Sequence, residues 1–96
     1  MCMNRITLGN QGNEVRYEYR ENCNLLLFCN FNDSRLAEFA DHLHEGCSQI
    51  KEVKEIKRYD IGAAIIVTMH TGYNAAVADA EIRELYEYYF LHHVRV

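Results

Sequence analysis

An α+β fold is predicted, built on an antiparallel sheet of four to five strands with two helices on one of its faces. Three observations predict it. Several short stretches alternate apolar and polar residues, two longer stretches repeat apolar residues at i, i+3, i+4 and i+7, and the chain contains no proline to interrupt either kind of element. At 96 residues with 49% hydrophobic and 25% charged side chains, the chain suffices for one domain, taken as 1–96, and not for two.

The first element pair is a hairpin. In Arg5 to Leu8 and Glu14 to Arg20, the residues Ile6, Leu8, Val15, Tyr17 and Tyr19 share one face and Thr7, Arg16 and Glu18 the other. Gly9 to Asn13 between them supplies residues that accept positive φ. A second turn at Glu21 to Asn24 leads into Leu25 to Phe31, apolar on both faces as far as Cys29, which predicts a central strand buried on both sides. Asn32, Asp33 and Ser34 then offer capping oxygens, and Leu36, Phe39, Ala40 and Leu43 predict a helix from Ser34 to Glu45, with Gly46 closing it in a left-handed conformation.

Ser48 to Asp60 is ambiguous, because Ile50, Val53 and Ile56 recur every three residues as in a helix while Val53, Tyr59 and Ile61 fit a strand face. The β-branched run Ala63 to Met69 follows a turn at Asp60 to Gly62, so Glu52 to Tyr59 is taken as its hairpin partner. Lysines and glutamates interleaved along it suit an edge strand. Asn74 caps a last helix in which Ala78, Ile82, Leu85 and Tyr89 form the inward stripe, with Ala75 and Tyr86 beside it. The resulting order, β-β-β-α-β-β-α, contains from Leu25 onward the β-α-β-β-α run of a ferredoxin-like split βαβ core, behind an added N-terminal hairpin. That is an architectural analogy and carries no activity.

Ten Lys and Arg against fourteen Asp and Glu give a formal charge of −4, which argues against nucleic-acid binding by phosphate neutralisation and suits a partner of basic character. No apolar run is long enough to span a bilayer, and MCMNRITLGN lacks the apolar core of a secretion signal, so a cytosolic protein with reduced thiols is expected. Of the chemical motifs, Asp41 to Cys47 gathers two histidines, a cysteine and two carboxylates. However, His42 and His44 lie about 200° apart on a helix, and two further zinc ligands would have to come from elsewhere. A thiol nucleophile at Cys29 or Cys47 is disfavoured by an apolar strand and by a helix C-terminus, respectively. No metal, cofactor or catalytic group is expected, and no enzymatic role.

Two surfaces remain as candidates. Tyr86, Tyr88, Phe90 and Leu91 crowd the end of the last helix, edged by Glu84, Glu87, His92 and His93, which is the composition of a protein interface. On that basis the expected role is a small protein-binding module acting by steric occlusion, in the manner of an inhibitor, an immunity-type protein or a phage anti-defence protein, with a protein partner or a second copy of the chain on the helix. The alternative is a regulatory domain holding a small molecule at Thr71, Gly72, Tyr73 and Asn74, the one stretch with a glycine between a strand and a helix, or at a dimer interface.

Overall fold

The computed structural model describes residues 5–9 and 12–92. Five strands, β1 (Arg5–Leu8), β2 (Val15–Arg20), β3 (Asn24–Cys29), β4 (Ile50–Tyr59) and β5 (Gly62–Met69), form one antiparallel sheet in the order β1-β2-β3-β5-β4. The helices are α1 (Ser34–Gly46) and α2 (Ala75–Tyr86), and α2 continues into a π-helical segment, Glu87–His92. The predicted topology is the observed one. The hairpin β1–β2 extends the β3-β5-β4 core on its free side, in the register Ile6↔Tyr17 and Leu8↔Val15 that the alternation requires.

One core joins the sheet to the helices. From the strands it takes Leu8, Val15, Tyr17, Leu25, Leu27, Ile65, Val67 and Met69, and from the helices Leu36, Phe39, Leu43, Ala78 and Ile82. Both helices therefore lie on one face, which overturns the expectation that β3 is buried on both sides. Leu25, Leu27 and Cys29 are buried, while Leu26 and Phe28 point to the opposite face and stay half-exposed. Apolar side chains on the outer face of β3 made it look like a strand inside a three-layer fold, yet two helices suffice for only two layers.

The spacing of β4 has a backbone cause. Register shifts between Ile50 and Glu52 and between Val53 and Glu55 insert one extra residue each, so Ile50, Val53 and Ile56 all return to the core side at a period of three. The element is a strand, with a rhythm that resembles a helix.

Caps behave as expected at both helix starts: the Asp33 carboxylate accepts from the Arg35 N–H, and the Asn74 side chain accepts from the Val77 N–H. The end of α1 differs. Gly46 is its last helical residue and Cys47 beyond it is extended at φ −118°, so the left-handed closure is corrected to a direct exit into β4. A methyl group at Gly46 would lie 3.5 Å from a Leu85 methyl, an ordinary contact. Gly46→Ala is accordingly expected to stabilise the protein by about 0.4–1 kcal/mol, because the unfolded chain loses freedom and the fold loses nothing. A higher urea midpoint with an unchanged slope is the check. Gly9 has the reverse character, with φ +82° and a Cβ position 1.8 Å from the Tyr86 hydroxyl, which donates to the Asn13 carbonyl and ties the first hairpin to α2.

Candidate functional site

The final helix buries a different stripe from the predicted one. Ala78, Ile82, Tyr86 and Phe90 are buried, spaced by four, while Leu85 and Tyr89 are half-buried at the flank. On an ideal helix each step of four advances about 40°, which would carry position 90 off the stripe. The looser π-helical turn from Glu87 onward winds it back. Phe90 then packs with Phe31, Phe39 and Tyr86 at centroid distances of 5.3, 5.5 and 4.7 Å.

Tyr86 and Phe90, expected at an interface, are thus corrected to core residues. Glu84, Glu87 and Tyr88 remain on the surface, Tyr88 at 56% exposure. The side chains of Leu91 and His92, and all of His93, lie outside the described residues. Among the described residues, the predicted patch keeps one exposed ring beside two carboxylates.

The stretch Thr71 to Asn74 does not converge on one point. Asn74 is used as the α2 cap, with its own N–H bonded to the Gln49 side chain, and the Tyr73 ring stacks on Tyr19 at 5.5 Å. Gly72 turns the chain at φ +77°, and Thr71 lines a cavity shared with Asn22, Lys51 and His70 rather than with its own loop. Tyr19 belongs to a bracing network: its hydroxyl and that of Tyr17 both donate to the Asp79 carboxylate, at 2.5 and 3.0 Å, fixing α2 to β2.

The surface that the sequence did not single out is the outer face of the sheet. By register its rows run Thr7, Arg16, Phe28, Ala64, Lys57 and Arg5, Glu18, Leu26, Ile66, Glu55. The centre is apolar and the borders are charged. Glu18, only 6% exposed, is held between Arg5 and Arg20. Burial alone would raise its carboxyl, but the two guanidinium hydrogen bonds keep it below the ordinary value. Arg16 lies over the Phe28 ring at 5.9 Å. At the β4–β5 end this face opens into a depression of about 500 Å³ bordered by Arg16, Phe28, Asn30, Tyr59 and Ile61. Tyr59 is 53% and Ile61 88% exposed. The only signal for this site in the sequence was an isoleucine at a two-residue turn.

Charge is divided between the layers. From Asp33 to Gly46 and from Ala75 to His92 there are eight carboxylates against Arg35 and Arg83, whereas the strands and their turns hold seven cations against six carboxylates. The net negative charge therefore belongs to the helices.

Cys23, Cys29 and Cys47 are free thiols. Burial pushes the thiols of Cys29 and Cys47 up to about 12, in Cys47 with help from the Glu81 carboxylate, so neither is a nucleophile at neutral pH. Among the described residues no group of three His, Cys, Asp or Glu side chains stands close enough to hold a metal ion, and no helix is long and apolar enough to cross a membrane. No protein-family model, curated protein or solved structure matches the chain. Fold and site together define a class only: a two-layer α+β protein with one face of its sheet uncovered by any described helix.

Proposed function

We propose that this chain is a protein-binding module that works by occlusion, as inhibitors, immunity-type proteins and phage anti-defence proteins do, and that its contact surface is the β4–β5 end of the open sheet face. The observation that carries this reading is Ile61. A two-residue hairpin turn favours Asn-Gly or another pair with positive φ, yet neither Asp60 nor Ile61 is left-handed and the isoleucine stands almost wholly in water. Turn formation does not call for that side chain, and together with exposed Tyr59 and with Phe28 it makes an apolar patch rimmed by charge, the character of a contact surface.

The occupant proposed is an apolar side chain of a partner protein, flanked by a carboxylate. Phe28, Tyr59 and Ile61 supply the apolar floor and rim. Arg16, which among the described residues pairs only at a long 3.7 Å with Glu14, and Lys57 on the same face supply the complementary charge. A basic partner, expected from the net charge, would suit the helical layer instead. The centre of the face is aliphatic with Phe28 as its one ring, so it lacks the stacking platform that single-stranded nucleic acid needs. A cytosolic setting agrees with three free thiols.

Isolated from its native source, the chain is expected to carry a stoichiometric protein. Ile61→Asp, at an exposed position, is expected to weaken that complex by about thirtyfold or more, as loss of a central anchor does, while Tyr88→Ala retains it. A retained metabolite with no protein, self-association abolished by Ile61→Asp, or a complex lost with Tyr88→Ala but kept with Ile61→Asp would each reject this reading.

A further inference from the structure

We infer that the depression between the β2–β3 turn and the far end of β5 binds a phosphate group, free or carried on a small molecule. It is independent of the surface proposed above, because it lies at the opposite end of β5, about 20 Å away at strand rise. The cavity has a volume of about 620 Å³, and its lining includes the polar residues Asn22, Lys51, Thr68, His70 and Thr71. They come from three separated stretches of chain.

None of these five side chains makes a hydrogen bond or ion pair with another described residue. Three nearby polar side chains are engaged elsewhere: Asn24 donates to the Glu21 carbonyl, Gln49 accepts from the Asn74 N–H, and Ser48 bonds Glu81. Lys51 is the extra residue of the first β4 bulge, between Ile50 paired with Met69 and Glu52 paired with Thr68. Bulges re-aim side chains in this way beside binding sites. Opposite it, Asn22 and Cys23 both take left-handed conformations at φ 62° and 60°, and the turn is held by the Met69 N–H donating to the Cys23 carbonyl at 2.7 Å.

The lining selects the ligand. The lining residues carry one ammonium, one imidazole, two hydroxyls and one amide, and no carboxylate residue is among them. That is an anion site with more donors than the two oxygens of a carboxylate can use, and it matches the three terminal oxygens of a phosphate monoester. The Lys51 ammonium supplies the charge, and the volume beyond the phosphate admits a small organic body.

The isotope-labelled 96-residue chain, titrated with inorganic phosphate and separately with ribose 5-phosphate at an ionic strength fixed by chloride, tests this. Saturable amide shifts are expected at 22–23, 51 and 68–71. Lys51→Met should weaken binding by about tenfold, the loss of one charge-assisted hydrogen bond, while Lys57→Met on the same strand leaves it unchanged. Tighter binding of ribose 5-phosphate identifies an organophosphate as the ligand, and equal binding identifies free phosphate. No saturation at millimolar ligand, equal binding of acetate, or an unaffected Lys51→Met variant overturns the inference.

Discussion

Phe90→Ala is expected to destabilise the protein by about 3–5 kcal/mol, enough to leave a domain of this size at or near its unfolding threshold, while Tyr88→Ala costs about 1 kcal/mol or less. The two residues are neighbours but one in the sequence, and their surroundings are opposite. Phe90 is 3% exposed among the rings of Phe31, Phe39 and Tyr86. Truncating it leaves a cavity that three rigid aromatic rings cannot collapse to fill. Tyr88 stands 56% exposed on the outer side of the same turn. Urea unfolding of both variants separates them, and similar losses would mean that the π-helical turn does not place Phe90 in the core.

Alkali is the second large perturbation, with a cooperative loss of structure expected between about pH 10 and 12. The buried thiols of Cys29 and Cys47 are raised from an ordinary 9.0 to about 12 by burial. The phenols of Tyr17 and Tyr19 are raised above 10.0 by burial and by the Asp79 carboxylate they share, and burial with a hydrogen bond to Glu38 raises Tyr89 to about 12. In every case the folded state favours the neutral group. The contribution is therefore complete below pH 9, where the unfolded chain is also protonated, and is lost as pH rises and only the unfolded chain ionises.

Each pH unit in that window costs about 1.4 kcal/mol per group, so the two thiols alone remove on the order of 5 kcal/mol by pH 11, comparable with the whole stability of a small domain. Circular dichroism should fall together with the rise of phenolate absorbance. A Cys29→Ala, Cys47→Ala variant should start less stable at pH 7 but lose stability less steeply between pH 9 and 11. An unchanged slope would show that the thiols are not what alkali ionises.

Elements whose signals are local were legible in the sequence. The first hairpin, the caps at Asp33 and Asn74, the α1 stripe and the β5 run depend on residues close to one another in the chain. Periodicity and capping chemistry encode those directly, and the element order then restricted the topology to few choices. Where the rhythm was ambiguous, in β4, the cause was a pair of bulges whose register is set by pairing with β5.

The tertiary structure alone decided which surfaces are available. The α2 stripe shifted from Leu85 and Tyr89 to Tyr86 and Phe90 because a π-helical turn follows, and the ring cluster of Phe31 and Phe39 waits on the other side. The outer side of β3 looked buried because Leu26 and Phe28 are apolar, but exposure depends on how many layers cover a sheet, which no single strand encodes. Ile61 beside Phe28, and Lys51 beside Asn22 and His70, come together only through strand pairing across dozens of residues. Contacts of that range are absent from any local pattern, so both candidate sites became visible only once the sheet was assembled.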